Sequence, residues 1–421
     1  MKRKTLWSGA LAVAVIGAAC AGVLMWRPAI APLAQLAVAA PEQIRRGAQV
    51  VEAGDCAVCH TRPGGAYLAG GLPLVTPFGT LYSTNITPDP QTGIGQWSYD
   101  AFERAMRKGI ARDGHFLYPA FPYVHYRRMS DDDLRDAYAY LMSGPPVDAP
   151  ARENQMNFPM NLRPLVSFWN LLFLRGEPAP TDASRSAQWN RGRYLVEGAG
   201  HCAACHSPLN LLGAEKSAQR MAGGIVDGWE APSLLGMAKA RNPWSSPQLI
   251  AYLRGDVAAG HGAAAGPMRP VSEGLGNLPA SDVEAIADYL LSLEGATAAL
   301  PAGNAQAAAE PDSKAPGAAL FQASCAGCHG EAAPMRAIDA RPALARTSAL
   351  RAASPRNFLK TVLEGLPPIP GQPGPQMPPF ADSLDNRQLA ELAAYLRAGA
   401  EPGQPWADLA TTIDALRQEA P

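Results

Sequence analysis

The pentapeptide Cys-X-X-Cys-His occurs three times in this 421-residue chain, as CAVCH at 56–60, CAACH at 202–206 and CAGCH at 325–329. Six of the seven cysteines lie in these motifs; the seventh, Cys20, sits inside an apolar N-terminal run. No thiol remains for a structural disulfide, so whatever the motifs hold must organise the fold around itself. Two thiols three positions apart with an imidazole directly after them suit three chemistries: zinc, thiol–disulfide exchange, or a covalently attached porphyrin.

Zinc takes four ligands, and these motifs lie more than a hundred residues apart, too far in sequence for the usual paired spacing. A redox thiol pair belongs in a βαβ context, and no such pattern surrounds any motif. Thioether bonds to two vinyl groups, with the next histidine reaching the iron, use every residue of the pentapeptide. The reading is three covalent haems c. They are attached through Cys56 and Cys59, Cys202 and Cys205, and Cys325 and Cys328, with His60, His206 and His329 as proximal iron ligands.

A common order of parts surrounds the motifs. A short helical pattern with a glycine (Gly47, Gly192, Gly317) precedes each one, and a helix with an aromatic–leucine pair (Tyr140, Tyr289, Tyr395) closes each unit. The glycine predicts close approach of the closing helix, with the tyrosine filling the crossing. Ser130 and Ser281 are the expected N-caps, with acids in the first turn to suit the helix dipole. This frame is that of a class I cytochrome c domain. The expected fold is all-α: three such domains in tandem, residues 41–144, 189–295 and 317–400, behind an N-terminal transmembrane helix within 1–40. Residues 145–188 form an interdomain connector, 296–316 a flexible linker and 401–421 a C-terminal tail ending in a surface helix.

The sixth iron ligand should come from the loop before each closing helix. Met377, between prolines in PGPQMPPF, is the candidate in the third unit, and Met268 in AAGPMRPV in the second. His/Met ligation raises the potential. The first unit offers His125, five residues before Ser130, or Met129 directly before it, or no protein ligand at all. Two histidines on one iron would lower that haem's potential. Trp97 and Trp229 read as packing aromatics or propionate donors, and His115, His201 and His261 as loop residues.

Lys2, Arg3 and Lys4 precede 22 residues without a charge, Thr5–Trp26. That run is long enough to span a bilayer with its positive flank in the cytoplasm; a cleaved signal peptide or a lipoprotein Cys20 are the alternatives. Each places the rest of the chain outside the cytoplasm. The apolar decapeptide Leu165–Leu174 is too short to span. It is expected to pack between the first two domains, or to dock on a partner subunit or the membrane surface. A formal charge of −1 with mixed signs excludes nucleic-acid binding, which needs a basic face.

The stretches GGLPLVTPFGTLYSTNITPDPQTGIGQWS, LYPAFPY, WNRGRYLVEGAGHCAACHSPLNLLGAEK and AAGPMRPV resemble the three-haem cytochrome c subunits of bacterial membrane-bound dehydrogenases. The resemblance runs from about residue 41 to 400. It implies an electron-transfer subunit without catalysis of its own, which takes electrons from a periplasmic dehydrogenase and delivers them to ubiquinone or a terminal oxidase. Partners in that family are quinoprotein alcohol dehydrogenases, flavin sugar or sugar-acid dehydrogenases, and molybdenum-hydroxylase aldehyde dehydrogenases with an iron–sulfur small subunit. The quinoprotein branch carries methionine where this chain has Phe121. PAFPY with the following His125, and WRPAIAPL after the apolar run, look more like the molybdenum-hydroxylase type. The competing classes are a stand-alone haem enzyme with an open first haem and a soluble shuttle.

Overall fold

Helices that open and close each repeat cross at the predicted glycines. Pro41–Ala53 begins with proline at its first turn, where the missing N–H costs nothing. It packs on Asp131–Ser143, which Ser130 caps by accepting from Asp133 N at 3.1 Å. A computed structural model describes residues 22, 25–35, 38–177, 180–295, 312–330, 332–334, 344–366 and 376–419. Most of the apolar run Thr5–Trp26 and most of the linker 296–316 lie outside the described residues.

The chain divides into two compact units. One comprises Met1–Thr181, Tyr194–His201 and Asn210–Ala214; the other comprises Asp182–Arg193, Cys202–Leu209 and Glu215–Pro421. In the first, Gly47 lies against the backbone of Asp136, where a Cβ would stand 1.9 Å from the Asp136 oxygen and 2.8 Å from the Tyr140 Cβ. Arg46, one residue before that glycine, pairs with Asp136 at 2.6 Å. Helix Tyr99–Lys108 is capped by Ser98 and ends at Gly109, whose φ of 62° is the left-handed conformation of a helix C-cap. The helical part of the apolar decapeptide is Val166–Phe173. Val166 joins Ile110 and Phe116 in a small core, and Tyr123 donates to Asn170 Oδ1 at 2.6 Å. Phe168, Leu171 and Leu172 on its other face remain exposed.

The second unit contains the same crossing twice. Gly192 meets Ala285 and Tyr289, and Gly317 meets Glu391 and Tyr395. Trp189 donates to Ser292 Oγ at 2.7 Å beside the first of these. The expected cap Ser281 is instead inside its helix, Ala280–Ser292, which starts after Pro279. The last crossing belongs to Asn386–Ala400, capped by Asp385 with Gln388 reaching back in a capping box. Beneath it lies a core of Leu350, Phe358, Leu359, Leu389, Leu392 and Leu396. The tail helix Leu409–Glu419 is no bystander: Ile413 and Leu416 are buried in that same core.

The all-α architecture expected from sequence is not what the structure contains, and the transmembrane helix placed before it falls mostly outside the described residues. Among the described residues five short strands form two sheets. β1 (Pro73–Thr76), β2 (Gly79–Tyr82) and β3 (Gln155–Met156) make an antiparallel sheet in that order, and β4 (Gly224–Val226) pairs with β5 (Trp229–Ala231). Local turn chemistry explains both. Asp227 and Gly228, with φ of 48° and 73°, are the two positive-φ residues of a tight hairpin turn. Gly79 lets β3 come close: a Cβ there would lie 2.3 Å from the Gln155 oxygen. Among the described residues no helix is long and apolar enough to cross a membrane.

Candidate haem sites

Each motif is a single helical turn: Cys56–His60, Ala203–His206 and Ala326–His329. Positions i, i+3 and i+4 of a helix share one face, so the two sulfurs and the imidazole of a motif are presented together. His60 Nδ1 lies 2.6 Å from the Thr84 carbonyl oxygen, and His206 Nδ1 lies 2.7 Å from that of Pro232. A carbonyl can only accept, so Nδ1 carries the proton in both and Nε2 keeps its lone pair for a metal. Burial lowers the pKa of both imidazoles, against an opposing pull from those carbonyls. Neutral imidazole is the ligating form.

The sulfurs of the first and third motifs lack the character of exchange thiols. Burial, reinforced by Asp55 and Cys59, pushes the Cys56 thiol up to about 12, and burial also raises Cys325. A thiol-exchange centre needs the opposite shift. Among the described residues no group of three or more His, Cys, Asp or Glu is arranged to hold a metal ion. Residues present at the first and second motifs therefore fit a porphyrin: two thiols for thioethers and one imidazole poised by its second nitrogen.

Hairpin β4–β5 organises the second site. Gly223 N donates to the His206 oxygen at 2.8 Å. Gly224 lies flat on the motif backbone, where a Cβ would be 2.3 Å from the Cys205 oxygen. Pro232, directly after β5, supplies the acceptor for His206. At the other end of β5, buried Trp229 covers Gly266, where a Cβ would fall 2.4 Å from the indole Cε2. Met268, two residues on, begins the helix Met268–Gly276. One strand thus ties the predicted proximal histidine to the loop of the predicted distal methionine. Neither the hairpin nor Pro232 was picked out by sequence reasoning, although Asp227-Gly228 between Ile225-Val226 and Trp229 is a strong hairpin signal.

At the third motif, Met377 and Cys325 both pack on the core that contains Leu359 and Leu392. The Met377 oxygen accepts from Leu366 N at 2.9 Å, holding the loop at its base.

The first site places two candidates side by side in burial. His125, in the turn Tyr123–Tyr126, and Met129 are each 2% exposed. His125 Nδ1 is 3.4 Å from the Glu197 carbonyl, and its ring centroid is 6.5 Å from that of His201. Tyr126 donates to the Gly54 oxygen at 2.6 Å. Burial, followed by Cys56, Cys59 and Asp55, holds its phenol far above its ordinary pKa. The turn that carries His125 is therefore packed beside the first cysteine pair. His261 lies in a turn, as expected from sequence, but it is buried there and stacked on Trp244 at 3.5 Å.

Comparison with known proteins agrees with this geometry. The cytochrome c family model matches residues 44–145 and 190–294, and the model for cytochrome c oxidase, cbb3-type, subunit III matches 312–396. A nicotinate dehydrogenase subunit of Pseudomonas putida is 51% identical over 99% of this chain, which spans 36% of that relative's length. The fructose dehydrogenase cytochrome subunit of Gluconobacter japonicus is 35% identical, covering 84% of this chain and 78% of the relative. The gluconate 2-dehydrogenase cytochrome c subunit of Pantoea cypripedii is 35% identical, covering 89% and 90%.

Proposed function

Since this chain belongs to the cytochrome c subunits of dehydrogenase complexes, electron-transfer proteins with covalent haem c, we propose that it carries three such haems in three cytochrome c domains. It takes electrons from a catalytic dehydrogenase subunit on the periplasmic side and passes them to ubiquinone or a terminal oxidase. The observation that carries this reading is the carbonyl-held Nδ1 of His60 and of His206 within a Cys-X-X-Cys-His turn. Bound haem supplies a one-electron iron couple; everything else is the work of the chain. Cys56 and Cys59, Cys202 and Cys205, and Cys325 and Cys328 fix the porphyrins in place. His60, His206 and His329 would each hold an iron. Met268 and Met377 would add a sulfur ligand to the second and third, which raises the potential, and His125 would add a nitrogen ligand to the first.

The catalytic partner in this reading is a molybdenum-hydroxylase dehydrogenase with an iron–sulfur small subunit. The sequence resemblance favours it. The 51% identity to a nicotinate dehydrogenase subunit, against 35% for each of the sugar and sugar-acid relatives, weighs against a sugar-oxidising partner. Its substrate is then an aldehyde or a nicotinate-like heteroaromatic acid. Purifying the native complex through this chain tests the assignment. Molybdenum and iron–sulfur centres in the copurified subunits are expected; flavin or pyrroloquinoline quinone in their place would move the chain to a sugar or alcohol oxidase complex.

A further inference from the structure

Strand β5 is held from three directions. Its C-terminal neighbour Pro232 takes the His206 Nδ1 proton in a hydrogen bond of 2.7 Å. The Trp229 ring lies on Gly266, which admits no side chain there. The third hold comes from more than a hundred residues along the chain, from helix Arg356–Glu364. Asn357 Oδ1 accepts from Glu230 N at 2.9 Å and Asn357 Nδ2 donates to the Glu230 oxygen at 2.7 Å. One side-chain amide thus satisfies both backbone groups of a strand residue, as a neighbouring strand would. Arg356 Nε donates to the Gly228 oxygen in the hairpin turn, and Lys360 Nζ sits 5.3 Å over the Trp229 ring.

A two-stranded hairpin with three residues per strand has little stability of its own. Its position depends on what clamps it. We propose that Asn357 is a positioning residue for the second haem: through β5 it fixes both the acceptor of His206 and the loop of Met268. Helix Arg356–Glu364, which lies within the region matched at 312–396, therefore governs the ligand geometry of the neighbouring iron centre. This rests on the reading of His206 and Met268 as ligands. A loosened β5 frees Gly266 to move and lets Met268 leave the iron, so an added ligand can take its place.

The test uses the full chain with its haems, as Asn357→Ala, Asn357→Asp and Lys360→Met. Mass spectrometry counts the haems, and the ferric forms are titrated with imidazole while the near-infrared methionine–iron band is followed. In Asn357→Ala one haem of three should bind imidazole about tenfold more tightly, the factor one ordinary hydrogen bond is worth, while the others stay as in the parent. Asn357→Asp, which keeps the acceptor and loses the donor, should fall between. Lys360→Met should move the same haem less. Parental titration curves with all haems retained would overturn the proposal, and so would an equal change at every haem. Met268→Ala in the parent background separates the two levels: if it removes no methionine–iron band, the ligand reading itself fails. Should Asn357→Ala yield no haem-loaded chain, Asn357→Asp and Lys360→Met decide alone.

Discussion

A Cβ on Gly192 would stand 2.9 Å from the Cβ of Tyr289. The same atom would be 1.9 Å from the Ala285 oxygen, inside any van der Waals contact. The opening helix can lie on the closing helix because this position carries no side chain.

Gly192→Ala should therefore separate the helices. Overpacking costs typically ~1–3 kcal/mol, and contact with a rigid backbone oxygen places this case at the upper end. Urea denaturation should show a midpoint shift toward lower denaturant. Ala at exposed Gly403, where added bulk would meet nothing within 4 Å, has only its φ of 75° to strain and should cost less.

Replacement of the distal candidates should be visible one haem at a time. Met268→Ala and Met377→Ala should each abolish one low-spin His/Met signal in electron paramagnetic resonance and lower one potential. His125→Ala should alter a third haem distinct from both. Three unaltered low-spin centres in any of these variants would remove that residue from the ligand set.

Glu401 is a buried acid, 2% exposed, with Arg241 at 2.7 Å and Arg351 at 3.6 Å. Buried Arg397 lies on the Trp406 ring and donates to the Leu350 and Ala352 carbonyls. Glu401→Gln keeps the shape and removes the charge, leaving cations without their counter-ion. Arg241 and Arg351 keep 28% and 20% of their side chains exposed, so the cost falls below the about 3–5 kcal/mol of a fully buried pair and is read as a lowered unfolding midpoint.

Acid should weaken the fold through His261. Burial, with Arg351 nearby and the Pro243 carbonyl opposing, lowers its pKa from 6.5 to about 4. Between those values the unfolded chain binds a proton that the folded chain refuses, so stability falls as pH drops through that window. His261→Gln should flatten the dependence of unfolding free energy on pH between about 6.5 and about 4, compared with the parent, in urea titrations at several pH values.

Much of this organisation was readable from residue order, because its signals are local. The glycine–tyrosine crossings, the Ser130 cap and the chemistry of the pentapeptides each follow from residue type at short spacing. The strands were missed because alanine-rich helices dominate the pattern while β4 and β5 are three residues each, yet Asp227-Gly228 carried the turn signal. Thr84 and Pro232 could not have been found: they act through backbone carbonyls, 24 and 26 residues from the histidines they hold, and any residue type offers that oxygen. His261 hides for a similar reason. Its burial comes from Trp244 and Ser348, the latter 87 residues away.

The number of porphyrins per chain tests the account most directly. Intact-mass spectrometry of the chain produced with cytochrome c maturation, supported by a pyridine haemochrome assay, should find three covalent haems, falling to two when Cys325 and Cys328 are both replaced by serine. A parent chain with two haems or fewer would contradict it.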